Sequence, residues 1–175
     1  MKMMNIKETI ATINRMQAEG VITQYAIGGA VGATFYLEAA ETQDVDIFIT
    51  IPVPDGQLIV TLTPQYDYLK SLGCSQEGEH IVIAGWPVQF LPAESPLLRE
   101  ALAKSLEKDI TGVPARVFSP EHLAAIALEL GRPKDRSRLL QFIESQILDE
   151  AEFSAILTRH RLLEKWEKFK RQMGV

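Results

Sequence analysis

Cysteine is almost missing from this sequence, because Cys74 is the only one among 175 residues. A single cysteine cannot form an internal disulfide or a cysteine-rich metal site, and its scarcity is typical of a reducing compartment. The sequence also has no run of about 18 apolar residues, the length that would indicate a membrane span. Charged and polar side chains interrupt the segment 1–16, so we expect no secretory signal there. These absences predict a cytoplasmic protein that does not enter a membrane.

Positive charge is not in excess either. The formal net charge is -5, which provides no general attraction for nucleic acid or an anionic membrane and leaves room only for a local basic surface. The three histidines, His80, His122 and His160, are too dispersed in the sequence to indicate a zinc site. The 46% of hydrophobic residues can form a sizeable core in one domain, or in one domain with a small helical appendage.

Two common nucleotide-binding motifs are absent. A Walker A loop would require Gly-Lys-Ser/Thr, which does not occur in the sequence. A dinucleotide-binding fingerprint would require glycines at alternate positions, but Ala30 directly follows Gly28-Gly29. Neither motif therefore explains the glycine pair.

Apolar periodicity and turn residues predict an α/β region followed by a helical region. Helices are predicted over 6–18, 30–40, 64–72, 96–107, 121–130, 136–146 and 150–172. Strands are predicted over 21–27, 43–51, 80–84, 88–91 and 111–118, with a turn over 52–56 and a hairpin around residues 85–87. Ser119 followed by Pro120 is typical of a helix start. We expect a domain over 1–118 and a helical region over 119–175 that packs on it.

The most informative pattern is a glycine pair followed by two aspartates. Gly28-Gly29 lies between a predicted strand and a predicted helix, and Asp44 and Asp46 lie on the next predicted strand. Glycine allows close approach of a ligand to the backbone, and the free N–H groups and dipole of the following helix suit a phosphate. Because side chains alternate along a strand, both carboxylates should project from one face, with Val45 and Ile47 facing the core.

Two aligned carboxylates are suitable ligands for Mg²⁺, which binds one or two carboxylates together with substrate phosphates. Two such ions about 3.5–4 Å apart can stabilise the attacking and leaving oxygens of an in-line displacement. Taken separately, a glycine pair is usually a turn and Asp-x-Asp is usually a solvated strand face. Their order and spacing favour a site for phosphoryl or nucleotidyl transfer.

The order apolar-Gly-Gly, helix, Asp-apolar-Asp-apolar resembles the DNA polymerase beta type nucleotidyltransferase superfamily. Within it, the chain is most similar to the minimal bacterial and archaeal nucleotidyltransferases related to abortive-infection toxins. The similarity covers residues 24–91, and a second stretch, 119–140, resembles the Gly-Arg-x-Lys-Asp helical motif that follows the catalytic domain of those proteins.

This resemblance implies an α+β fold, in which helices flank a mixed sheet and a helical segment follows. It implies a nucleoside triphosphate donor, magnesium, and an acceptor hydroxyl or phosphate. By match of position, Gly28 and Gly29 would hold the triphosphate, and Asp44 and Asp46 would be the catalytic residues that hold the metal ions.

The sequence departs from this pattern at a third position. Members usually carry another carboxylate on a later strand, and the matching position here is Gln89, a neutral amide. Glutamine can ligate a metal weakly but cannot accept a proton from an attacking hydroxyl. Either another base acts, with Glu77, Glu79 and Glu94 as candidates, or the protein binds nucleotide without turnover, or the strand register differs.

Two further groups of charged residues have alternative interpretations. Arg132 and Lys134 could reach the nucleotide phosphates if the helical part covers the cleft, or they could lie in a solvated loop where Asp135 caps a helix. The last predicted helix is basic and could contact RNA or a protein partner, although such a run is more often a solvated face.

Two functions follow from these observations. The first is a Mg²⁺-dependent nucleotidyltransferase that transfers a nucleoside monophosphate to an acceptor, which could be RNA, a protein or a small molecule. The second is a nucleotide-binding or interaction protein of the same fold without catalysis, for example one half of a toxin–antitoxin pair. Gln89 favours the second function, and the glycine pair with the aspartates favours the first.

Overall fold

The computed structural model describes residues 3–38, 42–53, 55–57 and 59–175, and within these ranges the chain forms eight helices and seven strands. The helices are α1 (Ile6–Ala18), α2 (Gly29–Ala33), α3 (Thr63–Ser71), α4 (Pro96–Ala103), α5 (Pro120–Leu130), α6 (Pro133–Ser145), α7 (Glu150–Arg159) and α8 (Leu163–Met173). The strands are β1 (Gln24–Ile27), β2 (Val45–Thr50), β3 (Ser75–Glu77), β4 (His80–Ile83), β5 (Trp86–Pro92), β6 (Leu106–Ile110) and β7 (Val113–Val117). No helix in the described ranges is both long enough and apolar enough to cross a lipid bilayer.

The strands form one mixed sheet in the order β3-β4-β5-β2-β1-β7-β6. The central strand β2 runs parallel to β5 and antiparallel to β1, and β1 runs parallel to β7. Helices lie on both faces of this sheet. The α+β class expected from the sequence, a mixed sheet flanked by helices, is therefore confirmed.

The alternation along β2 separates a core face from a site face. Val45, Ile47 and Ile49 are fully buried, in the same apolar cluster as side chains of α1 and α3. Asp46 and Phe48 occupy the intervening positions and face the other side, where Phe48 packs against the apolar cluster formed by α4 to α8. The predicted burial of Val45 and Ile47 is confirmed.

Helix α5 begins as the sequence predicts. The Oγ of Ser119 accepts a hydrogen bond from the backbone N–H of His122 at 3.2 Å, and Pro120 occupies the first turn. The helix ends at Gly131, whose φ is +63°, and α6 starts two residues later at Pro133. The division of the chain into 1–118 and 119–175 stays a prediction.

Two predicted helices in the first part of the chain are too long. The helix expected over 30–40 is only the five-residue α2, and beyond its end the Tyr36 hydroxyl donates to the carbonyl of Phe118 at 2.9 Å. Residues 39 and 40 lie outside the described residues. The helix expected over 96–107 ends at Ala103, because the chain then enters β6 and pairs with β7.

The strand expected over 111–118 is also displaced, because Thr111 and Gly112 form the turn between β6 and β7 with φ values of +49° and +91°. The short strand β3 was not predicted. The predicted hairpin of 80–84 and 88–91 is confirmed as β4 and β5. The turn expected over 52–56 includes residue 54, which lies outside the described residues.

The helix expected over 150–172 is two helices. Arg161 adopts a φ of +57°, and the buried Leu162 donates its N–H to the carbonyl of Leu157 at 2.8 Å, so the helix stops and restarts as α8. The helix expected over 136–146 begins earlier, at Pro133, because the Asp135 carboxylate accepts the backbone N–H of Arg132 at the N-terminus. Asp135 therefore lies in the first turn of α6.

Candidate active site

The glycine pair follows β1 and packs against β2. The N–H of Gly28 donates to the carbonyl of Asp46 at 3.0 Å, which continues the antiparallel pairing of the two strands by one residue. Gly29 has a φ of +58°, and a Cβ there would overlap the Asp46 carboxylate. A Cβ at Gly28 would come within 2.5 Å of the Phe48 ring. Both positions therefore require glycine, because neither has room for a side chain.

Asp44 and Asp46 line one cavity of about 360 Å³, and Gly29 lies in its wall. Asp44 precedes β2 and Asp46 is its second residue, and both side chains are half-buried. The structure therefore brings together the glycine and the two aspartates that the sequence indicated. The same cavity is also lined by residues of β5, α5 and α6.

The electrostatic environment of Asp46 is unfavourable for its negative charge. Burial raises the pKa of Asp46 above its ordinary value, and the nearby charge of Asp44 raises it further. The positive charges of Lys134, Arg138 and Arg132 act in the opposite direction. A cation bound beside the two carboxylates would relieve both the desolvation and the repulsion. The oxygen donors are the type that Mg²⁺ prefers, so the residues present fit this ion.

His80 contacts Asp44, and sequence reasoning missed this contact. Its Nε2 lies 3.0 Å from Oδ2 of Asp44. Because a carboxylate oxygen can only accept, Nε2 carries the hydrogen and donates it. The only sequence signal was the place of His80 at the start of a predicted strand, and the contact with Asp44 depends on the order of the strands in the sheet.

Gln89 lies beside Asp46. The parallel pairing of β2 with β5 sets Asp46 opposite Gln89, and Gln89 lines the cavity. The register therefore places a neutral amide directly beside Asp46. The alternative bases proposed from the sequence, Glu77, Glu79 and Glu94, are exposed and do not line this cavity.

The first turns of α6 provide the positive wall of the cavity. Arg132, Lys134 and Arg138 line it, and the buried Asp135 anchors two of them. Nε of Arg132 lies 2.5 Å from Oδ2 of Asp135, and Nη1 of Arg138 lies 3.8 Å from Oδ1. Burial lowers the pKa of Arg138, against the effects of Asp135 and Asp46. Lys134 is exposed and makes no ion pair within the described part of the chain.

The remaining wall is mostly apolar. Phe48 and Phe118 pack with their ring centroids 4.9 Å apart, and side chains of β5, α4 and α5 extend this surface. One further carboxylate, that of the half-buried Glu129 near the end of α5, also lines the cavity. Sequence reasoning missed Glu129, because nothing in the pattern of α5 distinguishes it from a solvated residue.

The other two histidines belong to a separate cluster. His122 and His160 both contact the Glu100 carboxylate, at 3.1 and 2.7 Å, and Arg159 contacts it at 2.7 Å. Helices α4, α5 and the end of α7 therefore bring two of the three histidines together around Glu100, whereas His80 lies beside Asp44. Within the described residues, no group of three or more His, Cys, Asp or Glu side chains is arranged to hold a metal ion.

Comparison with known proteins supports the fold. No protein-family model matches the chain, and no curated protein matches it closely. Two solved structures are similar over nearly their whole length. An antigenic nucleotidyltransferase-like protein from Paracoccidioides brasiliensis shares 16% identity, with a TM-score of 0.58 over 93% of this chain and 92% of that one. The antibiotic-resistance factor ANT(2'')-Ia shares 16% identity, with a TM-score of 0.51 over 95% of this chain and 99% of that one. The chain therefore has a nucleotidyltransferase-like fold.

Proposed function

We propose that this protein is a Mg²⁺-dependent nucleotidyltransferase that transfers a nucleoside monophosphate from a nucleoside triphosphate to an acceptor. One observation carries the proposal. A half-buried carboxylate pair and three cationic side chains line the same cavity, and the glycine turn forms part of its wall. The cavity therefore offers both ligands for a divalent cation and partners for a triphosphate. The similar folds of the two solved structures agree with this function.

The aspartates and the glycine turn would act on the reacting end of the nucleotide. Asp44 and Asp46 would hold magnesium, which when bound neutralises phosphate charge during the displacement. Gly28 and Gly29 would let the triphosphate approach the backbone, where the first N–H groups of α2 have no partner within the helix. Because α2 has only five residues, its dipole is too weak to contribute much. The phosphates would be bound by close approach to the backbone and by these N–H groups.

The α6 side chains would hold the phosphates from the other wall. Lys134 has no ion pair with any described residue, so its ammonium is available for a phosphate oxygen. Arg132 and Arg138 are oriented by Asp135, and such fixed guanidinium groups suit bidentate contacts to phosphate. In this arrangement the cations neutralise charge that develops on the phosphates.

A second function has one specific observation in its favour. The side chain opposite Asp46 is Gln89, which cannot accept a proton from an acceptor hydroxyl. A protein with this site could bind nucleotide and metal without catalysing transfer. If transfer does occur, the carboxylate in the cavity that could take the proton is Glu129, since the Asp135 carboxylate is engaged by two arginines.

The two functions are separated by incubation with Mg²⁺ and each labelled nucleoside triphosphate, alone and with cell extract as a source of acceptors. A nucleotidyltransferase releases pyrophosphate and labels an acceptor. A binding protein retains the nucleotide without releasing pyrophosphate. The absence of any nucleotide binding at millimolar concentration would contradict both. Asp46→Asn serves as the negative control, because it removes the metal-binding charge and keeps the shape of the side chain.

Three points stay predictions: the identity of the acceptor, the relation to toxin–antitoxin pairs, and a protein partner at the C-terminal helix. The basic C-terminal segment is two helices rather than one, so a partner there would contact a helix pair.

A further inference from the structure

We infer that the candidate active site takes one divalent cation rather than two, and that His80 fixes Asp44 as a single-oxygen ligand for that cation. The inference rests on the proposed function, because it concerns the metal that the aspartate pair would hold. It follows from three features of the site: the side chain beside Asp46, the hydrogen bond to Asp44, and the cations on the opposite wall.

The first feature is a row of side chains across the sheet. The pairing of β2 with β5 sets Asp46 opposite Gln89, and the pairing of Ile81 with Val88 sets His80 one step further along, beside Gln89. The row therefore runs from the Asp46 carboxylate to the Gln89 amide and then to the His80 imidazole. Two ions about 3.5–4 Å apart would repel each other strongly, and carboxylates must offset that repulsion. A neutral amide beside Asp46 does not provide the charge that a second ion needs.

The second feature is the hydrogen bond from His80. Nε2–H donates to Oδ2 of Asp44 at 3.0 Å, so Oδ1 is the oxygen that does not accept from His80. Carboxylates that bind metals are commonly oriented by such outer hydrogen bonds. A second cation at Oδ2 would lie beside the positive end of the His80 N–H dipole, so this hydrogen bond favours one ion, bound at Oδ1, over two ions bridged by both oxygens.

The third feature is the positive wall formed by α6. Lys134 and Arg138 line the cavity and act electrostatically on Asp46, so cationic side chains already stand near the carboxylates. At the phosphates, such side chains can provide the neutralisation that a second metal ion provides elsewhere. The site therefore combines ligands for one ion with a fixed positive wall.

The direct test counts the ions. Mn²⁺ is titrated into the protein saturated with an α,β-methylene nucleoside triphosphate, and free Mn²⁺ is measured by electron paramagnetic resonance. We expect one protein-dependent Mn²⁺ per chain in the wild type and two in Gln89→Glu, which restores a carboxylate of the same shape beside Asp46. Two ions in the wild type, or one ion in Gln89→Glu, would overturn the inference on stoichiometry while the proposed function stands. If neither Mn²⁺ nor nucleotide binds to the wild type, the proposed function itself fails.

The role of His80 is tested with two variants. His80→Phe removes the donor, and we expect the Mn²⁺ affinity to fall about 10- to 100-fold, the usual effect of losing an outer hydrogen bond. His80→Gln keeps an amide N–H that can donate to Asp44, and we expect it to recover most of the affinity. Nucleotide binding in the presence of a chelator should be the same in all three proteins. Equal Mn²⁺ affinity in His80→Phe and the wild type, or equal loss in both variants, would contradict a positioning role.

Discussion

The carboxylate of Asp46 occupies the space that a side chain at Gly29 would fill. Gly29 also has a φ of +58°, so a substitution there would be strained even without the neighbouring carboxylate. The glycine turn and Asp46 therefore form one structural unit. The Asp46 carboxylate can occupy its place in the cavity only because Gly29 has no side chain.

Gly29→Ala should damage this unit. We expect it to lower the free energy of unfolding by about 2–3 kcal/mol, because backbone strain and displacement of Asp46 add together. Metal-dependent nucleotide binding should also be lost. Chemical denaturation measures the first effect and titration calorimetry measures the second.

Gly20→Ala is the matched control for that variant. Gly20 also has a positive φ, +75°, but a Cβ there meets no atom within 4 Å. The free energy of unfolding of the control should therefore fall only by the backbone strain, about 1–2 kcal/mol, and its nucleotide affinity should not change. Equal effects of the two substitutions on nucleotide binding would contradict the contact between Gly29 and Asp46.

Asp46→Asn should separate function from stability. Burial and the charge of Asp44 both disfavour the ionised form of Asp46, as its raised pKa shows. We expect the neutral variant to unfold at the same denaturant concentration as the wild type or a higher one, while metal-dependent nucleotide binding disappears. A strongly destabilised variant would instead indicate that Asp46 has a structural role.

Lys134→Gln should weaken nucleotide binding without affecting the fold. Lys134 is exposed in the cavity wall, and a charge-assisted contact to a phosphate is worth about 1.5–3 kcal/mol. We expect at least a tenfold rise in the Kd for a nucleoside triphosphate, and a weaker dependence of that Kd on salt. Lys7→Gln, on the exposed side of α1, should leave the Kd unchanged. If both substitutions changed the Kd by a similar factor, Lys134 would not be part of the nucleotide-binding site.

The Glu100 cluster should make the fold sensitive to acid. Hydrogen bonds from Arg159, His160 and His122 hold the pKa of Glu100 well below its ordinary value, so its contribution to stability is present above about pH 4.5 and is lost as the pH falls towards the folded value. Burial lowers the pKa of His122 below 6.5, so the unfolded chain takes up that proton first. The two groups therefore lower stability in successive ranges, His122 as the pH falls through 6.5 and Glu100 as it falls below about 4.5.

Glu100→Gln tests this account of acid sensitivity. The variant should be destabilised at pH 7, by roughly 2 kcal/mol, because buried donors lose a charged acceptor. Between pH 5 and 3, the free energy of unfolding should fall less in the variant than in the wild type, as measured by urea denaturation at each pH. Glu77→Gln, at an exposed position of the edge strand β3, should follow the wild-type curve. Identical pH curves for Glu100→Gln and the wild type would contradict the assignment.

The sequence predicted the centre of the fold better than its periphery. The alternation of β2 is a local pattern, so the burial of Val45 and Ile47 and the common orientation of the aspartates could be read directly from it. The break at Arg161 and the strand β6 depend on contacts with distant residues, which the local pattern does not contain. Helix propensity therefore predicted one continuous helix over 150–172, and a helix over 96–107 that extended into β6.

The candidate site divides in the same way. Gly28, Gly29, Asp44 and Asp46 are close in the sequence and follow a recognisable order, whereas the prediction for Arg132 and Lys134 came mainly from a resemblance. His80 and Glu129 had no such signal. The contact of His80 with Asp44 depends on the order of the strands, and the place of Glu129 in the cavity depends on how α5 lies over the sheet.

A crystal structure with Mn²⁺ and an α,β-methylene nucleoside triphosphate would locate the metal and the nucleotide together. We expect an anomalous peak at the Asp44–Asp46 pair, with the triphosphate between the glycine turn and Lys134. A nucleotide bound elsewhere on the protein, or a cavity that stays empty at saturating concentrations, would contradict this expectation.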